Sequence, residues 1–158
     1  MSPVIEITHG DLLRQQVDAI VNPWNRNIIP WWLLLPQGVS GAIKRAAGFG
    51  PFRQLSRAGA IPLGGAVLTG AGRLPFRAII HVAGLTIFWR SSEMIVRKCV
   101  SSALAVAAAH QIDTIAFPLI GAGTGGLDPD RVEKLIAEQA SQTDYGGKIV
   151  IVRFRGAG

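Results

Sequence analysis

The 158-residue sequence is poor in the residues that make disulfides and metal sites. It has one cysteine, Cys99, and three histidines, His9, His81 and His110, which lie far apart in the chain. A single cysteine excludes a disulfide within the chain, and no Cys/His spacing typical of a metal site is present. We therefore expect no metal and no cofactor, and we interpret each histidine as structural rather than as a ligand.

Long hydrophobic runs are also scarce. The apolar segment IIPWWLLLP covers only residues 28–36 and has prolines inside it and at its end. A membrane-spanning helix needs roughly 20 apolar residues, so this segment is excluded as a span, and only shallow contact with a membrane surface stays open. The first residues lack a basic stretch followed by an apolar run, which is the pattern of a signal peptide. We therefore expect a cytoplasmic protein.

Charge is low and mostly of one sign. Charged residues make up 16% of the chain and hydrophobic residues 49%, which argues against disorder, and the formal net charge is +6. This excess favours anionic partners such as phosphate groups, although a hydrated, soluble surface explains it at least as well. The basic residues are dispersed and form no stripe interleaved with aromatics, which argues against a nucleic-acid partner. The absence of G-x-x-x-x-G-K-[ST] excludes a P-loop.

The pattern that is present alternates strands with helices. Apolar segments bounded by glycine or polar residues predict strands, and apolar residues at helical spacing predict helices. The strands fall at residues 3–8, 18–22, 65–72, 77–84 and 148–154, and residues 113–123 are a strand that runs into a glycine loop. The helices fall at 39–48, 51–59, 91–110 and 128–142, and in the last of them Asp128 is the predicted N-cap and Pro129 the first helical residue. The strands are near-continuous apolar runs, as in strands that helices cover on both faces. We therefore predict one α/β domain over residues 1–158 with a mostly parallel sheet.

Polar side chains stand where several predicted strands end. Asp11 follows the first strand, Asn22 and Asn25 end the second, and Phe154 ends the last. Ligands of parallel α/β folds bind at these carboxyl ends, so the four residues are candidates for one site. The alternatives are structural. The asparagines would brace a turn, Asp11 would cap a short helix, and Phe154 would belong to the core.

Two glycine-containing segments predict phosphate contacts. The helix starting near Val39 is preceded by glycine, and Gly38 and Gly41 let a phosphate approach the free N–H groups at the positive end of the helix. The segment GAGTGG, residues 121–126, offers a second turn with bare N–H groups. It also matches G-x-G-x-x-G, but a dinucleotide fingerprint belongs in the first βαβ unit, and here only one strand follows.

Together these segments resemble the macrodomains, the family that binds ADP-ribose. The chain contains, in the family's order, GDLL, DAIVNPWN, QGVSGAIKRAAG, GGAVLTGAG, AIIHVAG and TIAFPLIGAGTGG. The resemblance covers nearly the whole chain and is strongest to the bacterial MacroD-like branch. It implies a three-layer α/β/α sandwich with a mixed, mostly parallel central sheet.

The resemblance also implies roles for individual residues. Asp11 would accept a hydrogen bond from the adenine amino group, Phe154 would stack on the adenine, and Asn25 would bind the distal ribose. Backbone N–H groups would hold the diphosphate from two sides. The other implied ligand contacts are Leu12, Asn22, Gly38, Val39, Ser40, Gly121, Ala122, Gly123, Thr124 and Gly125.

Two departures from the hydrolase branch bear on catalysis. The aspartate proposed there to orient the attacking water is Ser40 here, and an aromatic of the second loop is Gly125. We predict that IIPWWLLLP is an insertion that walls the distal-ribose side of the cleft, with Trp31 or Trp32 replacing the missing aromatic. The alternatives are a flap packed on the neighbouring helix and a patch for a partner.

The function that the resemblance implies is metal-independent hydrolysis of mono-ADP-ribose from Glu or Asp esters on proteins. Asn25 and Ser40 are the candidate catalytic residues, although serine is not a base near neutral pH without help. The alternatives are a reader that binds ADP-ribose without chemistry, and a hydrolase of another conjugate such as O-acetyl-ADP-ribose. We expect a monomer whose partner is ADP-ribose or an ADP-ribosylated protein.

Overall fold

The structure is a computed structural model that describes residues 2–33, 38–86 and 88–154. The strands are β1 (Val4–Gly10), β2 (Ala19–Trp24), β3 (Ala66–Thr69), β4 (Ala78–Ala83), β5 (Thr114–Phe117) and β6 (Lys148–Phe154). They form one sheet in the order β1-β6-β5-β2-β4-β3. All neighbouring pairs are parallel except β3 with β4, which is antiparallel. The predicted mixed, mostly parallel sheet is confirmed.

Helices cover both faces of this sheet. They are α1 (Gly38–Ala47), α2 (Gly50–Arg57), α3 (Glu93–Ala109) and α4 (Pro129–Ser141). Ile43 of α1 and Phe52 of α2 belong to one hydrophobic core, and Val100 of α3 and Leu135 of α4 belong to another. The two cores make the three-layer α/β/α sandwich that the resemblance implied. None of the described helices is both long enough and apolar enough to cross a membrane.

Side chains determine where two of these helices begin. Asp128 accepts a hydrogen bond of 3.0 Å from the N–H of Arg131, and Pro129 occupies the first helical position, as the sequence predicted. Ser92 caps α3 in the same way by accepting from the N–H of Ile95 at 3.2 Å. Because Ser92 is the cap, α3 begins at Glu93 and not at the predicted residue 91.

The interior strands are mostly buried, whereas β1, one of the two edge strands, is not. All six residues of β4 are buried, but in β1 Val4 is 63% exposed and Ile7 is 47% exposed. Within the described residues β1 pairs only with β6, so its other side has no neighbouring strand. The prediction that apolar runs mark strands covered on both faces is therefore wrong for β1.

Parallel pairing brings the carboxyl ends of five strands, β1, β6, β5, β2 and β4, to one edge of the sheet. Gly10, the last residue of β1, pairs with Phe154, the last residue of β6. β2 ends at Trp24 and β5 at Phe117, and these strands also pair in parallel. The segments that follow these strands therefore meet along this edge, which we call the carboxyl edge.

Candidate functional site

The N-terminus of α1 lies at the carboxyl edge, because Ser40 in its first turn contacts the end of β2. Gly38 has a φ of +55°, and none of the described atoms lies within 4 Å of the position that its Cβ would take. Glycine adopts this left-handed conformation without strain. The first N–H groups of a helix have no partner within it and carry the positive end of its dipole. The contacts predicted for Gly38 and Val39 require such an open anion site.

Ser40 is hydrogen-bonded to the end of β2. Its Oγ lies 3.0 Å from Oδ1 of Asn22 and 2.8 Å from the carbonyl oxygen of Pro23. Both neighbours are acceptors, so the one hydroxyl proton of Ser40 points toward β2 and its lone pairs remain for an outside donor. The position that holds an aspartate in the hydrolase branch is thus a neutral acceptor in this chain.

A buried histidine lies behind Asn22. The Nδ2 of Asn22 is 2.9 Å from Nδ1 of His81, and Nε2 of His81 is 2.8 Å from Oγ1 of Thr69. His81 is fully buried, and the loss of hydration lowers its pKa to about 3. The ring is therefore neutral near pH 7, in keeping with its interpretation as a structural histidine.

Asn25 follows β2 and braces a turn with its side-chain oxygen. Oδ1 of Asn25 accepts a hydrogen bond of 2.7 Å from the N–H of Asn27, which has a φ of +61°. Asn27 is held in turn by hydrogen bonds from its Nδ2 to the carbonyl oxygens of Leu55 and Gly59. The alternative interpretation, that Asn25 braces a turn, is therefore correct for its Oδ1 atom. Within the described part of the chain Nδ2 of Asn25 has no acceptor, so Nδ2 is the group left to bind a ribose hydroxyl.

The glycine-rich loop after β5 closes partly on itself. β5 is Thr114–Phe117, at the start of the segment 113–123 that the sequence predicts as a strand running into a glycine loop. The N–H of Ala122 donates to the carbonyl oxygen of Leu119 at 3.1 Å. The prediction of a turn with bare N–H groups is therefore wrong for Ala122. Gly123, with a φ of +66°, has no described atom within 4 Å of its Cβ position and faces open space.

Gly125 occupies the position of the family's aromatic, and its surroundings leave little room for a side chain. A Cβ on Gly125 would lie 3.1 Å from Cβ of Ser91 and 3.4 Å from Cδ2 of Leu85. A Cβ on Gly121 would lie 2.9 Å from Oγ of Ser91. The segment between β4 and α3 therefore fills the space beneath this loop. The side chain of Thr124 lies outside the described part of the structure.

Asp11 and Phe154 lie where β1 and β6 end. Oδ1 of Asp11 accepts a hydrogen bond of 2.9 Å from the N–H of Leu13 and caps a 3₁₀ turn, Leu12–Arg14. The alternative interpretation, that Asp11 caps a short helix, is therefore correct for this oxygen. Phe154 is 73% exposed, so the alternative that it belongs to the core is wrong, and its ring is accessible for stacking. Leu12 is buried in the core below them.

The two adjacent tryptophans have different surroundings. The ring of Trp31 lies 5.1 Å from that of Phe49 and 6.4 Å from that of Phe52, at the start of α2. Trp32 is 67% exposed. The alternative of a flap packed on the neighbouring helix describes Trp31, while a place in a ribose wall stays a prediction for both residues. The predicted insertion continues over residues 34–36, which lie outside the described residues.

Lys44 of α1 is buried beneath Trp31. Its Nζ donates to the carbonyl oxygen of Trp31 at 3.1 Å and lies 5.0 Å from the ring centroid of Trp24 and 5.3 Å from that of Phe52. Burial lowers the pKa of this amine, and the hydrogen bond and the aromatic faces compensate part of the lost hydration. Lys44 therefore joins α1 to the tryptophan segment.

Trp89 is a site residue that the sequence motifs did not predict. Trp89 and Thr86, from the segment between β4 and α3, line a small cleft of about 10 Å³ with Asn25, Arg26, Ile28 and Ile29. Trp89 has a φ of +59°, which is rare for an aromatic residue, and its N–H donates to the carbonyl oxygen of Thr86 at 3.0 Å. The available signal was an aromatic placed shortly after a predicted strand, at the carboxyl edge.

The remaining depressions and titratable groups do not extend this site. A larger groove of about 420 Å³ lies between residues 62–65 and helices α3 and α4, and it shares no lining residue with the small cleft. No three His, Cys, Asp or Glu residues of the described chain are grouped closely enough to hold a metal ion. Burial raises the pKa of Cys99 to about 12, so its thiol is unreactive at neutral pH.

Comparison with known families identifies the chain. The family model for the Macro domain matches residues 21–136, from β2 into α4. This chain belongs to the macro domain family. The resemblance seen in the sequence is therefore confirmed, and the macrodomain's carboxyl edge is the place where its predicted ligand residues meet.

Relatives share the family over most of their length. A macro domain-containing protein of Caldanaerobacter subterraneus is 32% identical, over 98% of this macrodomain and 89% of the relative. The O-acetyl-ADP-ribose deacetylase of Citrobacter rodentium is 38% identical, over 80% of this macrodomain and 72% of the relative.

Solved structures confirm the macrodomain fold. A mutant Oceanobacillus iheyensis macrodomain with ADPR superposes with a TM-score of 0.80 at 26% identity, over 96% of this chain and 85% of that one. The Trypanosoma brucei macrodomain in complex with ADP-ribose has a TM-score of 0.82 at 24% identity, over 96% of this chain and 64% of that one. The second likeness, at its lower identity, speaks for the fold alone.

Proposed function

We propose that this macrodomain binds ADP-ribose along the carboxyl edge and hydrolyses the ester that joins mono-ADP-ribose to a Glu or Asp side chain. The observation that carries the proposal is the N-terminus of α1 at the carboxyl edge, where none of the described atoms lies within 4 Å of the Cβ position of Gly38 and Ser40 follows in the first turn. The helix end suits a diphosphate, and the hydroxyl oxygen suits a ribose hydroxyl or a water next to it.

Residues along the carboxyl edge support one orientation of ADP-ribose, with the adenine near β1 and β6 and the distal ribose near β2. Phe154 and Asp11 follow paired strands, and the exposed ring together with a carboxylate suits adenine and its amino group. Asn25 lies just beyond the end of β2, and its Nδ2 suits a hydroxyl of the distal ribose. The diphosphate then lies between the first turn of α1 and the loop around Gly123.

Hydrolysis at this edge requires a positioned water. We propose that Ser40 accepts a hydrogen bond from this water and that Nδ2 of Asn25 donates to a hydroxyl of the distal ribose. The water oxygen attacks C1″, and the C1″–O bond to the protein carboxylate breaks with its electron pair leaving on the carboxylate. The proton of the water passes to a phosphate oxygen of the ligand, since Ser40 is neutral and cannot take it. Positioning and the helix dipole supply the rest of the catalysis.

An O-acyl-ADP-ribose is a second candidate substrate for the same cleft. It is favoured by the 38% identity to the O-acetyl-ADP-ribose deacetylase of Citrobacter rodentium. The same Ser40-held water would attack the acyl carbon, releasing the carboxylic acid and leaving the ribose hydroxyl free.

Calorimetric titration with ADP-ribose, followed by release assays on the same sample, tests the proposal. One assay offers a protein carrying Glu-linked mono-ADP-ribose, and a parallel assay offers O-acetyl-ADP-ribose. We expect binding with one site per chain and release of ADP-ribose from the protein. Turnover of the acetyl ester alone would replace the first substrate with the second.

The other outcomes are also decisive. Binding without turnover of either conjugate would make the protein a reader and overturn the hydrolysis. Absence of ADP-ribose binding would overturn the site itself. Ser40→Ala is the matching variant, because it removes the proposed water acceptor while leaving the N–H groups of α1 in place. It should lower the turnover rate more than it weakens ADP-ribose binding.

A further inference from the structure

Four side chains form a continuous hydrogen-bonded chain from the interior of the sheet to the candidate site. Thr69 on β3 contacts His81 on β4, His81 contacts Asn22 on β2, and Asn22 contacts Ser40 on α1. Thr69, His81 and Asn22 are at most 3% exposed. The Thr69–His81 and Asn22–His81 distances are 2.8 Å and 2.9 Å, and the Asn22–Ser40 distance is 3.0 Å.

A backbone carbonyl lies at each end of this chain and favours one direction for it. When the hydroxyl of Thr69 donates to the carbonyl oxygen of Gly70, which lies 2.9 Å away, Oγ1 of Thr69 accepts from Nε2–H of His81. In a neutral imidazole the other nitrogen, Nδ1, is then the acceptor for Nδ2–H of Asn22. The amide oxygen of Asn22 is thereby turned toward Ser40, whose proton is shared between this oxygen and the carbonyl oxygen of Pro23.

We propose that Thr69 and His81 are positioning residues that act through Asn22 to hold the Ser40 hydroxyl as a hydrogen-bond acceptor toward the cleft. If His81 carried its proton on Nδ1 instead, the Asn22 amide would have to reverse. Its Nδ2 would then donate to Ser40 and occupy one of the lone pairs that a ligand needs. The ligand chemistry selected is therefore an O–H donor, either a ribose hydroxyl or a water, and not an acceptor such as a phosphate oxygen.

The effect of this arrangement on ADP-ribose binding rests on the proposed function. Its first test, the position of the proton on His81, does not. The proton position on His81 is a property of the free protein. Long-range ¹H–¹⁵N spectra of the uniformly labelled wild type report it directly, and the exposed His9 and His110 serve as references in the same spectrum. We expect the Nε2–H form for His81. Observation of the Nδ1–H form would overturn the proposal, whatever the protein binds.

Variants of Thr69 test the consequence for binding. Thr69→Val keeps the shape of the side chain but removes the acceptor for Nε2–H, so we expect ADP-ribose affinity to fall about three- to tenfold. Ser40→Ala should cause a loss of the same size, and the double variant should lose no more than Ser40→Ala alone, because both changes remove one acceptor. Thr69→Ser retains the hydroxyl and should restore both the Nε2–H signal and the affinity.

A remote hydroxyl supplies the matched control. Thr114 is the first residue of β5, at the opposite edge of the sheet, and its Oγ1 accepts a hydrogen bond of 2.7 Å from the N–H of Asp18. Thr114→Val should lower thermal stability while leaving ADP-ribose affinity unchanged. Additive losses in the Thr69→Val, Ser40→Ala double variant, or an unchanged affinity in Thr69→Val, would overturn the positioning role. If no variant and no wild type binds ADP-ribose, the proposed function fails while the histidine spectrum still decides the proposal.

Discussion

The indole ring of Trp31 lies 5.1 Å from the ring of Phe49, which immediately precedes α2. This contact, with the hydrogen bond from Lys44 to the carbonyl oxygen of Trp31, fixes the first part of the tryptophan segment against the helical layer. Trp32, one residue later, has most of its surface exposed. The two neighbours should therefore respond differently to truncation.

Trp31→Ala should destabilise the protein, and Trp32→Ala should not. Removing the half-buried indole of Trp31 leaves a space against Phe49 and Phe52, at a cost of about 2 kcal/mol. Urea unfolding measures this difference, and ADP-ribose titration of both variants tests the predicted ribose wall. A loss of affinity in Trp32→Ala at unchanged stability would assign the wall to Trp32. Unchanged affinity in both variants would eliminate the wall.

Two substitutions of Asp11 distinguish its role as the cap of the 3₁₀ turn from its predicted contact with adenine. Asp11→Asn retains an oxygen that can accept from the N–H of Leu13, so stability should hardly change. It loses the carboxylate, so ADP-ribose affinity should fall about tenfold or more while ribose 5-phosphate affinity stays constant. Asp11→Ala should show the same ligand effect plus about 1 kcal/mol of lost stability. Equal losses for both ligands would refute the adenine role.

Gly123 and Gly59 offer a matched pair for the diphosphate loop. Both have a positive φ, +66° and +73°, and neither has a described atom within 4 Å of its Cβ position. Valine at either position should cost about 1–2 kcal/mol through left-handed backbone strain. Only Gly123→Val should also weaken ADP-ribose binding, because only its side chain enters the proposed path of the diphosphate. Equal affinities in the two variants would remove the loop from the site.

His81 should make the protein less stable as the pH falls. Its pKa is about 3 in the folded protein, against 6.5 for an unperturbed histidine, so between these values the unfolded chain binds a proton that the folded one does not. The free energy of unfolding therefore decreases with falling pH by up to about 1.4 kcal/mol per unit from this residue. Urea unfolding of the wild type and His81→Gln from pH 7 to 4 measures the difference.

Thr69→Val is the control for this pH dependence. It removes a hydrogen bond but leaves His81 buried, so it should lower stability at every pH while retaining the slope. If His81→Gln does not fold, the ring signals of wild-type His81 give the answer, since they should remain those of a neutral ring down to pH 4. A ring that titrates near pH 6.5 would contradict the prediction.

Local sequence patterns predicted much of the fold. The last strand was predicted at residues 148–154, where the structure has Lys148–Phe154. Asp128 and Pro129 marked the start of α4 because both features act within one turn of the chain. The helix that was predicted to start at Val39 starts at Gly38, one residue earlier. Such signals are local, so the amino acids near each position suffice to read them.

These local patterns could not predict contacts between distant parts of the chain. Asn22 and His81 are 59 residues apart in sequence and 2.9 Å apart in space, and nothing near either residue indicates the other. The point where β5 ends was not predicted, because its apolar pattern continues into a loop whose N–H groups bond to that loop's own carbonyls. Trp89 lines the small cleft because the segment after β4 lies against the segment after β2, and no local pattern indicates that these two segments are neighbours.

The sequence by itself determined the family and the order of strands and helices, because short motifs and periodicity carry that information, and it predicted the carboxyl edge as the place for a ligand. Tertiary structure alone decided that Trp31 packs on α2 and that the Ser40 hydroxyl is hydrogen-bonded to the end of β2. Both outcomes depend on partners brought together by sheet pairing and helix packing. The direction of a hydroxyl proton follows from every acceptor around it, and those acceptors come from separate segments of the chain.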